Sequence, residues 1–232
     1  MFNIERQYEI MTFLQQRKSM TVVELSNLLF ASESTIRRDL NELERSGKVR
    51  RTFGGVVLEE TLNREVPLSL RRSQNHAEKQ KIALKASELI KDDQIIFLDA
   101  SSTVAHLVPF LSKFENLTVI TNSPNNIIEL GNLGVRTYCT GGLLLDASQA
   151  FVGAEAEDFV RRFNADIMFF SSRGIDTDGN ITDSSAEESH LRRVMLMNAK
   201  KKYYLYDKSK LGKKYLYNLC TTNDTDGNIC EY

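Results

Sequence analysis

Arg37 and Arg38 stand side by side within Ser32 to Gly55, SESTIRRDLNELERSGKVRRTFGG, where hydroxyl, amide and guanidinium groups recur at the spacing of one helix face. Ser32 is placed to cap that helix and Gly47 to end it. At about 100° per residue, Ser34, Arg38, Asn41 and Arg45 project away from an apolar stripe of Ile36, Leu40 and Leu43, with Thr35 and Arg37 on its flanks. Guanidinium groups fork onto guanine in the major groove, and hydroxyls and amides bond to phosphates or base edges. Beyond Gly47, the cations Lys48, Arg50 and Arg51 alternate with Val49 and Thr52, then Phe53, Gly54 and Gly55 turn the chain into Val56, Val57 and Leu58. That period predicts a two-stranded wing laid along a phosphate backbone. Glu33, Asp39, Glu42 and Glu44 favour a plain solvated surface instead, but the ordered succession of helix, turn, helix and basic wing favours DNA binding. The candidate DNA contacts are Ser32, Ser34, Thr35, Arg37, Arg38, Asn41, Lys48, Arg50 and Arg51.

A second constellation follows short apolar runs further along the chain. Asp99-Ala100-Ser101-Ser102-Thr103, Thr121-Asn122-Ser123-Pro124, Gly141-Gly142, Ser171-Ser172-Arg173-Gly174 and Asp207-Lys208-Ser209-Lys210 each come after one. In open α/β sheets ligands bind beyond the carboxyl ends of strands, and a helix opening there offers free amides to an anion. Asp99, Ser101, Ser102, Thr103, Thr121, Asn122, Ser123, Gly141, Gly142, Arg173, Glu187 and Lys208 are the candidate effector contacts. Each has an ordinary alternative: Ser and Thr cap helices, paired glycines turn the chain, and Ser184 with Glu187 has capping-box spacing. Sugar-phosphate isomerisation at this edge would need a carboxylate base plus acid or electrophilic support, for which Asp99, Glu187 and Lys208 are the available cast. No pair of carboxylates clusters for opposite roles, so binding is favoured over catalysis.

The elements that would position these groups are legible from periodicity. Arg6 to Gln16 carries Ile10, Phe13 and Leu14 on one side, and Val22 to Leu29 carries Val22, Leu25, Leu28 and Leu29, so three short helices share a small core. From His76 onward helix and strand alternate: a helix through Ile82, Leu84 and Leu89, strand 95–98, helix 104–111, strand 117–121, helix 124–130, strand 135–139, helix 155–163, strand 167–170, helix 187–199 and strand 203–206. Such alternation predicts a mainly parallel sheet covered on both faces. The polar stretch from Glu59 to Asn75, broken by Pro67, reads as a linker, partly helical near Leu68 to Arg72. The expected organisation is a DNA-binding domain at 1–58, a linker at 59–75 and a sensing and oligomerising domain at 76–232.

With 232 residues, 41% apolar and net charge −1, any basic surface must be local. Three cysteines without a CxxC pair point to a reducing, cytoplasmic setting. Neither a signal peptide nor a membrane span is expected. DTDGNI occurs at 176–181 and 224–229, but the glycine spacing suits turns rather than a calcium loop. His76, His106 and His190 are scattered, and neither metal nor cofactor is expected.

Glu24-Leu25, Ser32, Thr35-Ile36-Arg37-Arg38-Asp39-Leu40, Leu43-Glu44, Gly47 and Arg51-x-x-Gly54-Gly55 together resemble the winged helix-turn-helix of DeoR-type bacterial regulators of sugar metabolism. Asp99, Ser101, Ser102, Thr103, Asn122, Gly142 and Lys208 fall on that family's strand-end motifs. The resemblance implies an α/β protein: an N-terminal winged helix-turn-helix and a C-terminal parallel-sheet effector domain similar to ribose-5-phosphate isomerases. It further implies a transcriptional repressor whose grip on a double-stranded operator is relieved by a phosphorylated sugar or related metabolite. A single winged domain makes few base contacts, so a homo-oligomer, dimer or tetramer, is expected.

Overall fold

Thr21 starts the second helix of the chain by a reciprocal cap: its side chain accepts from the Glu24 amide, and Glu24 reaches back to the Thr21 N–H. The computed structural model describes residues 3–17, 19–46, 48–52, 54–58 and 66–232. They form two compact units, Met1–Leu62 and Asn63–Tyr232. In the first unit α1 (Asn3–Arg17), β1 (Ser19–Thr21), α2 (Val22–Leu29), α3 (Glu33–Arg45), β2 (Val49–Thr52) and β3 (Gly55–Leu58) follow in order. Ile10, Leu14, Leu25, Ile36, Leu40 and Leu43 close one core. Leu28, expected on the buried face, is instead exposed, because α2 turns that side to solvent. The wing has three strands rather than two, in the order β1-β3-β2. A Cβ on Gly55 would stand 2.6 Å from the Met20 carbonyl, so this close strand approach needs glycine. Gly47 and Phe53 lie outside the described residues; the C-cap of α3 is Ser46.

The second unit runs α4 (Leu68–Ser73), α5 (His76–Ser87), β4 (Ile95–Leu98), α6 (Ser102–Ala105), a 3-10 turn (Val108–Lys113), β5 (Thr118–Thr121), α7 (Pro124–Asn132), β6 (Arg136–Cys139), β7 (Leu143–Leu145), β8 (Ala150–Val152), α8 (Ala154–Val160), β9 (Ala165–Phe170), β10 (Gly174–Ile175), β11 (Asn180–Asp183), α9 (Ala186–Met197), β12 (Ala199–Leu205), β13 (Tyr217–Thr221) and β14 (Gly227–Ile229). Six strands form one sheet in the order β14-β12-β9-β4-β5-β6, parallel at every pairing. Its central strands are buried on both faces: Ile96, Leu98, Val119, Ile167 and Phe169 enter one core, while Phe97, Ile120, Met168 and Phe170 enter the other. Two-residue alternation thus divides an unbroken apolar run between two layers.

Three departures from the periodicity matter for the site. The helix expected at 104–111 is a four-residue turn, α6, followed by 3-10 geometry around Pro109, whose ring and missing N–H prevent α-helical continuation. Within the expected linker, residues 59–65 lie outside the described set, and α4 belongs to the second unit, its Leu68 amide donating to the Ala147 carbonyl at 2.8 Å. A small antiparallel sheet β10-β11-β13 and the hairpin β7-β8 were not anticipated. Asp176 Oδ1 accepts from the Asp178 and Asn180 amides at 3.0 and 2.8 Å, which makes the first DTDGNI a turn.

Candidate functional site

The first unit presents α3 with Ile36, Asp39, Leu40 and Leu43 buried and the opposite face open. Ser32 caps the helix by accepting from the Thr35 amide, and its hydroxyl meets those of Ser34 and Thr35, each at 2.9 Å. Arg38 is exposed beside that hydroxyl cluster. Arg37 is exposed too, and reaches back one turn to Glu33 at 3.2 Å, a pairing weak enough in water to be exchanged for phosphate. Asn41 and Arg51 are joined, the guanidinium donating to Asn41 Oδ1 at 2.6 Å, which ties the wing to the exposed face of α3. Arg50 is exposed on β2 and Lys48 half-buried just before it. Asp39 is no surface charge: it is fully buried and binds the Arg6 guanidinium, locking α1 to α3. Its place on the stripe, three residues after Ile36, was the available signal.

At the carboxyl edge of the six-stranded sheet, the strand-end residues divide into those facing one another and those engaged elsewhere. Asp99 Oδ1 accepts from the Ser101 amide at 3.0 Å, and Oδ2 accepts from the Ser171 amide at 3.1 Å and from Arg192 Nε at 2.8 Å. Arg192 also holds Asp183 at 2.8 Å and Glu188 at 3.0 Å, all four groups being buried. Burial opposes the Arg192 charge, but Glu188, Asp183 and Asp99 outweigh it and raise the guanidinium pKa above its ordinary value. Asp99 therefore pins the β4 and β9 ends rather than offering a free carboxylate. Ser101 caps α6, Ser123 caps α7, and Thr121 Oγ1 accepts from the Ser123 amide. Gly142 has φ +102, and a Cβ there would stand 2.5 Å from the Val152 carbonyl, so it serves the packing of β8; around Gly141 nothing lies within 4 Å of that position.

Ser102 and Thr103 are brought together with two cations that are not among the expected contacts: Lys79, which no motif marks, and Lys210, which stands in the fifth strand-end motif. Lys79 Nζ, on the buried side of α5, donates to Ser102 Oγ at 3.2 Å and to the Arg71 carbonyl. Lys210 Nζ donates to Thr103 Oγ1 at 3.2 Å and to Ser171 Oγ. Burial lowers the Lys210 pKa to about 7, opposed by Asp207, and lowers that of Lys79 to about 8, opposed again by Asp207. Asp207 is itself buried, accepting from Asn75 Nδ2 and the Ser209 amide, both at 3.0 Å; burial would raise its pKa, but Lys210, the hydrogen bonds from Ser209, and Lys79 prevail and lower it. Asn122 donates to the Phe151 carbonyl at 3.0 Å, while its buried Oδ1 has no partner among the described residues; the same holds for one buried Arg173 nitrogen.

Two expected contacts lie away from this cluster. Lys208 points outward, its ammonium 4.4 Å from the Tyr232 ring centre, because the turn from Lys208 to Lys210 sends only the second lysine to the sheet edge. Glu187 is exposed and accepts from Ser185 Oγ; the α9 cap is Ser185, not Ser184, and the buried acid is Glu188. With α6 only four residues long, the anion-attracting dipole expected there is small, and the positive charge at this edge comes from lysines.

Residues 6–61 match the DeoR-like helix-turn-helix domain and residues 74–231 the DeoR C-terminal sensor domain. The chain is 35% identical over 227 residues to the transcriptional regulator GolR of Listeria innocua, covering 97% of this chain and 89% of the relative. It is 33% identical to the lactose phosphotransferase system repressor of Staphylococcus epidermidis, covering 98% and 93%, and 36% identical to the L-fucose operon activator of Haemophilus influenzae, covering 90% and 84%. Among solved structures, eIF2B delta of Chaetomium thermophilum aligns with TM-score 0.53 at 14% identity over 71% of this chain and 59% of that one. A ribose-5-phosphate isomerase bound to phospho-erythronic acid aligns with TM-score 0.44 at 15% identity, over 59% and 54%. The chain thus spans somewhat more than half the length of these solved structures. Among the described residues no helix is long and apolar enough to cross a membrane. A helix-turn-helix joined to a sensor sheet, matched along almost the whole chain, places the protein in the DeoR family of DNA-binding transcriptional regulators.

Proposed function

We propose that this protein is a cytoplasmic repressor of carbohydrate-metabolism genes, that its homo-oligomer grips a double-stranded operator through Arg37, Arg38 and the wing cations, and that a phosphorylated sugar at the sheet edge loosens that grip. The observation that carries the ligand class is the convergence of Lys79 and Lys210 on the adjacent hydroxyls of Ser102 and Thr103. Two ammonium groups held against hydroxyls suit a phosphate, which accepts from both kinds of donor. Asn122 Oδ1, buried and unpartnered among the described residues, suits a sugar hydroxyl that donates. Asp99 remains with its residues at this edge, but as the clamp that orders the Ser101 and Ser171 turns. The same clamp weighs against isomerase chemistry, since the candidate base is occupied by Arg192, Glu187 is exposed and Lys208 faces the C-terminus.

Melting of the full chain with a panel of pentose and hexose phosphates, each beside its unphosphorylated sugar, tests the reading. At least one phosphorylated sugar raises the melting temperature and releases a labelled operator duplex, because a ligand selective for the native state stabilises it. Lys210→Met abolishes both responses. Equal responses in that variant, or stabilisation by free sugars alone, overturn the proposal.

A further inference from the structure

Phe30 ends α2 in a left-handed backbone conformation, φ 50 and ψ 40, and the residue is 97% exposed. For a bulky residue this conformation is strained, and glycine would occupy it freely. The strain is imposed by the turn, because Ser26 holds it three times. Its carbonyl accepts from the Phe30 and Ala31 amides, and its hydroxyl donates to the Ala31 carbonyl at 2.6 Å. Leu29 and Ala31 on either side pack on the core, so the chain sends the Phe30 ring outward. A strained, unburied aromatic adds nothing to folding, and such positions are retained where the side chain has work outside the fold.

Its place in the fold says what that work is. Phe30 is two residues before Ser32, so its Cα lies within about 7 Å of the residue that begins the hydroxyl cluster at the head of α3. A phenyl ring has no donor or acceptor, so it cannot read phosphates or the polar base edges. The one apolar feature of the major groove is the thymine C5-methyl group. We infer that Phe30 is a specificity residue, packing its ring on a thymine methyl group at the edge of the bases read by α3. The inference rests on α3 being the recognition helix.

The test uses the full chain and a duplex it selects from a random pool, rebuilt with deoxyuridine in place of each thymine in turn. Wild type loses about fourfold in affinity at one position, the worth of one buried methyl group. Phe30→Ala binds the thymine duplex about fourfold more weakly and is indifferent to uracil at that same position. Phe30→Gly is as weak as Phe30→Ala yet melts at a higher temperature, an outcome that a folding role for the ring would reverse. Unchanged affinity in both variants, or a loss shared by every duplex regardless of thymine, overturns the inference. Loss of oligomerisation with operator affinity per site intact does so too, by assigning the ring to a second copy of the chain. Arg38→Ala separates the two levels: if it abolishes operator binding while the Phe30 variants bind normally, only the thymine contact fails; if it changes nothing, the recognition helix itself has been misassigned.

Discussion

Effector binding at the sheet edge should titrate, and in an unusually low pH range for a lysine site. In the free protein burial lowers Lys210 to about 7 and Lys79 to about 8, with Asp207 the leading carboxylate opposing both shifts. Lys79 and Arg71 lower Lys210 further and Arg71 lowers Lys79, while Asp99 supports the Lys210 charge and Glu78 that of Lys79. A phosphate dianion set against these groups favours their charged forms, so binding draws protons on to them. Affinity is therefore full below the free-site values and is lost as pH rises through them. At about pH 8 Lys210 is roughly one-tenth protonated, which weakens binding about tenfold from its acid limit, and Lys79, about half protonated, contributes about twofold more. On the acid side the phosphate monoester loses its second charge below about pH 6, so the profile peaks between about pH 6 and 7. Isothermal titration with the strongest-binding sugar phosphate, in two buffers of different ionisation enthalpy, reads both quantities. Between one and two protons taken up per site at about pH 8 is the expected count. Affinity that stays flat from about pH 6.5 to 8.5, with no proton uptake, refutes the placement of these lysines against the anion.

Two further substitutions probe the scaffolds beneath the sites. Arg192→Met leaves Asp99, Asp183 and Glu188 buried around a neutral side chain, and removing one partner of a buried ion pair costs about 3 to 5 kcal/mol. Urea unfolding followed by circular dichroism should show the sensor transition at a markedly lower midpoint; a midpoint equal to wild type contradicts the clamp. Asp39→Ala takes the buried carboxylate from Arg6 and loosens α1 against α3, an expected loss of about 3 kcal/mol in the first unit. Operator affinity should then fall at growth temperature and recover on cooling, whereas a loss of affinity without any loss of stability would make Asp39 part of the DNA contact itself.

The uneven legibility of this chain follows from how far each signal reaches. The recognition helix was readable because its cap, stripe and exposed cations are set by residues within four positions of one another. The central strands were readable because burial on both faces turns them into apolar runs, and Ile95–Leu98 emerged with its bounds unchanged. The third wing strand was not, since three residues between two helices carry no period. Neither was the partner of Asp99, an arginine 93 residues away. Lys208 and Lys210 are chemically identical in the sequence, and only a tertiary turn sends one inward and the other toward Tyr232. Lys79 did leave a trace: it shares a helix face with Ile82, Ala83 and Ala86, at i+3, i+4 and i+7, where a cation interrupts a buried stripe. Arg192 leaves the same trace between Leu191 and Val194, one turn after Glu188. Strand-end hydroxyls are the weaker pointer, because a local amide satisfies them, as Ser101 and Ser123 show by capping the helices they precede. A buried ammonium cannot be satisfied so cheaply: it demands counter-charge, here shared among Asp207, Asp99 and Glu78, and the proposed phosphorylated ligand would add to it.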